Sequence, residues 1–189
     1  MEPDSDLPKR IKGIFDIYTS LGAGSRDLSV KAAALSENSF FYEAELFHGA
    51  LAYRSLWTYY PELGIIDRKD RIINTGSEAV HIMKAVQKYL FTDNDFTYYS
   101  QNTRWCYENV GEWNQVHFGG VSLACEGGRT TQGAVPFLAL KGRQDNGAVF
   151  HLIPNGNWRM DLRTVSLGVS QAGSYEYLLE IGQNSDHFN

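Results

Sequence analysis

Polar and apolar side chains alternate along much of this chain. Phe41, Glu43 and Glu45 oppose Tyr42, Ala44 and Leu46, and after Leu21-Gly22-Ala23-Gly24 the residues Leu28 and Val30 alternate with polar neighbours. A period of two is the mark of a strand with one wet face. Leu51 to Tyr60 is a longer apolar and aromatic run stopped by Pro61, and Ile65 to Ile73 follows, turning at Asn74-Thr75-Gly76; together they predict a strand pair. Val135 to Leu140 and Ala148 to Ile153 flank Gln144-Asp145-Asn146-Gly147 and predict a hairpin with a longer loop. Pro154-Asn155-Gly156-Asn157 breaks the next connection. Three alternating sets follow: Trp158, Met160 and Leu162; Val165, Leu167 and Val169; and Tyr175, Tyr177, Leu179 and Ile181. Strands recurring at about 10 to 15 residues predict an all-β, antiparallel β-sandwich. One segment conflicts, because Ala79, Met83, Val86 and Leu90 recur at helical spacing and favour a helix from Ala79 to Leu90.

The start of the chain is different. Met1 to about Lys12 mixes charges with little apolar content, so residues 1–13 are expected to form a flexible arm and residues 14–189 a single domain. A length of 189 residues suffices to bury one core without disulfides or metal. No internal repeat or low-complexity tract divides it.

Composition sharpens the fold and narrows the partners. Aromatics at 13% beside 18 Gly and only 5 Pro suit pleated sheets joined by tight turns. A net charge of −5 and a pI near 5.5 give no basic surface for phosphates, so neither nucleic acid nor an anionic membrane is expected as a partner. No apolar run of membrane-spanning length and no secretory leader pattern is present, and a soluble, cytoplasmic chain is expected. Cys106 and Cys125 are the only cysteines, and they are read as reduced thiols. His48, His81, His117, His151 and His187 stand singly, without metal-ligand spacing. No nucleophile elbow or phosphate loop occurs. No metal or cofactor is therefore expected.

Two kinds of residue remain as candidates for chemistry. Glycoside hydrolysis needs two carboxylates across the scissile bond, and Asp67/Asp70 and Glu108/Glu112 are near in sequence, although a solvated rim accumulates acids in the same way. Tryptophans carry more information, because the C–H face of a sugar packs on an indole while its hydroxyls need polar neighbours. Trp158 beside Asn157, Trp105 beside Arg104, and Trp113 between Glu112 and Asn114 have that company. A core tryptophan beside a polar turn looks the same in sequence.

Four phrases, Ile66 to Glu78, Thr103-Arg104-Trp105-Cys106-Tyr107-Glu108, Pro136-Phe137-Leu138-Ala139-Leu140 and Asn155-Gly156-Asn157-Trp158, resemble the N-terminal β-supersandwich domain of glycoside hydrolase family 36, the α-galactosidases. Ile66 to Glu78 resembles the family's phrase of an Arg-bearing strand ending in Asn-x-Gly, and Thr103-Arg104-Trp105-Cys106-Tyr107-Glu108 is similar to its Gly-Arg-Trp-x-x-Glu. Pro136-Phe137-Leu138-Ala139-Leu140 matches a family phrase verbatim, and Asn155-Gly156-Asn157-Trp158 resembles its Ser-Gly-Asn-aromatic turn. The likeness runs from about Glu43 to Gln183. Gln132, Val135 and Thr103 depart from the family's His, Asn and Gly. The resemblance implies a galactose-mutarotase-like supersandwich, and a strand in place of the helix over Ala79 to Leu90. In the family the catalytic aspartates lie in a downstream (β/α)₈ barrel, a fold of at least about 200 residues, so Cys125-Glu126-Gly127-Gly128 is a chance echo of the catalytic phrase.

Three functions follow as expectations. The first is a catalytically silent accessory domain of an α-galactosidase-like enzyme, with the barrel domain as partner, Asn157, Trp158, Trp105, Arg104 and Trp113 as carbohydrate-facing candidates, and a homo-oligomer through apolar faces or edge strands. The second is a free-standing carbohydrate-binding sandwich, which needs an exposed aromatic platform. The third is a mutarotase-like enzyme, which needs His81 or His151 facing a carboxylate.

Overall fold

A computed structural model of the chain describes residues 15–23, 31–93, 96–117, 119–127, 133–142, 147–165 and 175–184. The expected arm over 1–13, Leu28, Val30, Gln132, Leu167 and Val169 lie outside these residues. The described elements are all strands: β1 (Phe15–Thr19), β2 (Gly22–Ala23), β3 (Lys31–Ser36), β4 (Ser39–Leu46), β5 (Leu51–Tyr60), β6 (Ile65–Asn74), β7 (Ile82–Asp93), β8 (Phe96–Arg104), β9 (Tyr107–Gln115), β10 (Val121–Cys125), β11 (Gly133–Gly142), β12 (Gly147–His151), β13 (Trp158–Val165) and β14 (Tyr175–Asn184). No helix among them is long and apolar enough to cross a membrane. The chain divides into two compact units, one of residues 1–16 and 82–189 and one of residues 17–81.

The larger unit is a sandwich of two antiparallel sheets. One runs β10-β13-β14-β7 and the other β12-β11-β8-β9. Alternation aims every second side chain between them. Leu123 and Cys125 of β10, Trp158, Met160 and Leu162 of β13, and Leu179 and Ile181 of β14 meet Leu138 and Leu140 of β11 and Phe96 of β8 in one continuous core. On β11, Leu138 is buried there while Phe137 points the other way. The predicted hairpin is β11 and β12, in register from Phe137 opposite His151 to Lys141 opposite Gly147.

The segment with helical spacing is β7, as the resemblance implied. Its apolar residues do not share one environment: Val86 is buried, whereas Met83 and Leu90 are half exposed. The structure satisfies β7 instead through an unbroken ladder with β14, from Tyr175 opposite Asp93 to Asn184 opposite Lys84. Tertiary pairing of that length outweighs a local helical pattern. Lys84 and Lys88, from the same set of alternating positions as Val86, bind the buried carboxylates of Glu180 (3.4 Å) and Asp16 (2.9 Å).

The smaller unit is built on a meander, β3-β4-β5-β6, with every neighbouring pair antiparallel. Tyr53, Leu46, Leu51 and Ser55 are fully buried in it. Its strands β5 and β6 are the pair expected from Leu51 to Tyr60 and Ile65 to Ile73, in continuous register from Tyr60 opposite Ile65 to Leu51 opposite Asn74.

Candidate functional site

The Arg104, Trp105 and Trp113 candidates come together on the β8–β9 hairpin. Arg104 and Tyr107 pair across its end, leaving Trp105 and Cys106 as the turn. Cys106 takes φ +63°, the left-handed conformation that costs an L-residue roughly 1–2 kcal/mol. Local bonds hold it: the Cys106 amide donates to Glu108 Oε1 at 3.1 Å, and the Arg104 guanidinium sits 4.6 Å from the Tyr107 ring centre. The result is a braced tip from which Trp105 projects with 91% of its surface exposed.

Behind the tip, the outward face of the β12-β11-β8-β9 sheet carries an aromatic band. Trp113, 54% exposed, lies 5.5 Å from Tyr99, Tyr99 lies 6.2 Å from Phe137, and Phe137 lies 6.3 Å from His151. Gly111 makes room for it, since a Cβ there would stand 2.0 Å from the Tyr99 hydroxyl. Gln101 Nε2 donates to that hydroxyl at 3.1 Å. The half-exposed Trp113 ring, with the Gln101 amide and the Tyr99 hydroxyl nearby, offers apolar stacking together with hydrogen bonding, the two needs of sugar recognition.

Asn157 and Trp158 are placed elsewhere. Trp158 is the largest fully buried side chain of the core, at 0% exposure, and Asn157 beside it is buried too. An indole enclosed on all sides offers no face to a sugar, so of the two meanings open to this tryptophan in sequence the structure shows the core. His81 and His151 are exposed, and neither makes a hydrogen bond or ion pair with a carboxylate among the described residues. No group of three or more His, Cys, Asp or Glu able to hold a metal occurs among the described residues. Cys125 is buried and Cys106 exposed, both as free thiols.

The smaller unit holds a buried polar cluster that sequence reasoning missed. Ser55 and Trp57 of β5 stand opposite Asp70 and Arg68 of β6. Ser55 Oγ donates to Asp70 Oδ1 (2.5 Å) and accepts from Trp57 Nε1 (2.8 Å). Arg68 Nε and Nη2 donate to the two Asp70 oxygens (3.1 and 2.9 Å), and Nη2 also donates to the Tyr53 hydroxyl (3.1 Å). The guanidinium lies 4.6 Å from the Trp57 ring centre, and Phe40 stacks on the same indole at 5.7 Å. Burial pushes the Tyr53 phenol up to about 12. Asp70 is thus committed to Arg68, while Asp67 binds Lys69 at 2.9 Å, so this sequence-near pair of acids is spoken for. Arg68 and Asp70 are two apart in sequence, a hint that becomes a bidentate pair only once the β5–β6 register sets Ser55 and Tyr53 beside them.

These features define an all-β domain with an aromatic-tipped sandwich and no metal cluster among its described residues. The description "Glycosyl hydrolase family 36 N-terminal domain" matches residues 48–178, and the chain belongs to that family. A search of curated proteins found no match. Among solved structures, the α-galactosidase of Lactobacillus brevis superposes with a TM-score of 0.68 at 16% identity, over 93% of this chain and 26% of its own. The family 36 α-galactosidase AgaA of Geobacillus stearothermophilus gives 0.69 at 18% identity, over 91% and 26%. The galactosidase domain of the α-galactosidase-sucrose kinase AgaSK gives 0.60 at 18% identity, over 85% and 22%. The chain spans about a quarter of the solved chains it resembles.

Proposed function

We propose that this chain is the non-catalytic accessory domain of an α-galactosidase-like glycoside hydrolase, in which it lines the rim of the active site of a (β/α)₈ barrel and takes part in oligomer contacts. Residues 14–189 act as that one domain, and the partner is the barrel of the same enzyme. The carrying observation is the braced β8–β9 tip, with Trp105 almost wholly exposed in a domain of this family. A rigid, solvent-directed indole is suited to stacking on a galactoside held by the barrel, and Arg104 beside it is suited to the sugar hydroxyls. No activity is assigned to the chain by itself. The isolated chain is expected to leave an aryl α-galactoside unchanged. Steady turnover, abolished by Glu108→Ala, would overturn this reading. In the enzyme with its barrel, Trp105→Ala is expected to raise KM by about tenfold with a smaller change in kcat, the loss of one aromatic contact.

The Trp113, Tyr99 and Phe137 band favours a second reading, a carbohydrate-binding surface that works without the barrel. Saturable binding of a galactosyl oligosaccharide to the isolated chain, lost in Trp113→Ala and kept in Trp105→Ala, would select it over the first.

A further inference from the structure

Strand β6 is the outermost strand of its four-stranded sheet and pairs with β5 alone among the described strands. It has no proline, no glycine and no bulge, and an edge of that kind is a template for another strand unless something blocks it. Its own sequence complements itself. Outward from Lys69 one direction gives Asp70, Arg71, Ile72, Ile73, and the other gives Arg68, Asp67, Ile66, Ile65. The apolar positions coincide, and every acid on one side answers a base on the other.

We propose that β6 pairs antiparallel with β6 of a second copy about a two-fold axis at Lys69, joining the two four-stranded sheets edge to edge. In this register Asp67 faces Arg71 of the second copy, Arg68 faces Asp70, Ile66 faces Ile72 and Ile65 faces Ile73. Each contact occurs twice, as an isologous interface requires. Paired residues always stand on the same face, because their numbers differ by an even count, so the alternation that buries Arg68 and Asp70 in each sheet is preserved. Two features of the single chain fit this pairing. Ile65 and Ile66 are more than half exposed, and each would be covered by an isoleucine. Arg71 lies opposite Arg54 within its own sheet, while Arg54 is already bound to Glu43 at 2.7 Å. Arg71 itself has no ion pair among the described residues, and Asp67 of a second copy, which binds its own Lys69 through Oδ2 alone, supplies one through Oδ1. Lys69 is the only charged residue of the strand that meets a like charge. Its ammonium already holds Asp67 on the same face, so the lysine moderates the pairing and keeps it reversible.

This inference deepens the oligomer-contact part of the function proposed above, and its test does not need the barrel. The mass of the 189-residue chain is followed by sedimentation equilibrium as its concentration rises. The native sequence is expected to reach twice 21.3 kDa. Asp67→Arg and Arg71→Asp each place like charges at two symmetric positions, and each alone is expected to weaken association by roughly a hundredfold. An equimolar mixture of the two variants restores both acid–base pairs, so the mass returns to the dimer; that recovery excludes misfolding as the cause of the losses. Lys69→Thr is expected to tighten the dimer. A native chain that stays at 21.3 kDa at the highest concentration, or a dimer that survives both single charge variants, overturns the β6 pairing. Neither result bears on the barrel-rim reading, which fails instead on turnover by the isolated chain.

Discussion

Tyr53 shows how burial at a single side chain becomes a dependence of stability on pH. Burial raises its folded pKa from the ordinary phenol value of 10.0 to about 12, because the enclosed phenolate loses its hydration; Arg68, as donor and charge, offsets only part of this. In the unfolded chain the phenol ionises near 10, so between 10 and 12 the folded form binds more protons and stability falls as pH rises. Below 10 the contribution is fully present. The expected loss is about 3 kcal/mol across that window, and Tyr53→Phe should flatten it in alkaline urea melts. Asp70 carries a different risk: Asp70→Asn removes the charge that answers a buried guanidinium, with an expected cost of about 3–5 kcal/mol. On β11 the consecutive residues Phe137 and Leu138 face opposite ways. Leu138→Ala should cost about 2–5 kcal/mol and Phe137→Ala about 1 kcal/mol, because only the leucine lies in the closed core. Equal losses in urea melts would contradict that assignment.

Elements follow from pairing more than from propensity, and β7 and β14 make the case. Gly182 lies opposite Val86 in their ladder, and a Cβ on it would meet the Ala85 carbonyl oxygen at 2.0 Å and Val86 Cα at 2.8 Å. Backbone cannot step aside as a side-chain end can. Gly182→Ala should therefore part the two strands locally and cost at least about 3 kcal/mol in a thermal melt, whereas Gly111→Ala, which meets only the movable end of Tyr99, should cost less. Most strands were legible from the order of their apolar residues: β4, β13 and β14 alternate, while β5 and β11 are apolar runs bounded by turn residues. The sequence was misleading at Ala79 to Leu90, where a helical spacing arose by coincidence of residues from both faces of one strand. There the family phrases succeeded and the local period failed. The candidate site was legible in part. Arg104, Trp105 and Trp113 are surface residues of one hairpin, while Trp158 has the same polar company in sequence and lies in the core. An alternating strand does not say which of its faces is covered; the position of the opposing sheet decides that.

At the scale of the whole molecule, two compact units each enclose their own buried residues, one around Trp158 and Leu138 and one around Tyr53 and Ser55. Cooperative opening follows such divisions. Hydrogen exchange read by mass spectrometry should give Asp70→Asn faster exchange through residues 39–74 with residues 158–184 unchanged. Equal acceleration in both would mean that the units open as one. The charge of −5 and the family membership were both available from sequence, but the division into units was not, because it depends on which distant strands pair.

The contrast between the enclosed Trp158 and the protruding Trp105 also makes the molecule its own optical probe. An indole in an apolar enclosure emits at shorter wavelength and is shielded from dissolved quenchers, whereas one in water emits to the red and is quenched freely. With four tryptophans in the chain, iodide should remove the red part of the emission first, from Trp105 and Trp113, and leave a blue remainder belonging to Trp158 and to Trp57, which Phe40 and Arg68 cover in part. Whatever covers the hairpin tip, sugar or barrel, would then shelter the red component while the blue one stays fixed, and unfolding would turn both red together. One spectrum can therefore separate occupancy of the rim from loss of the core.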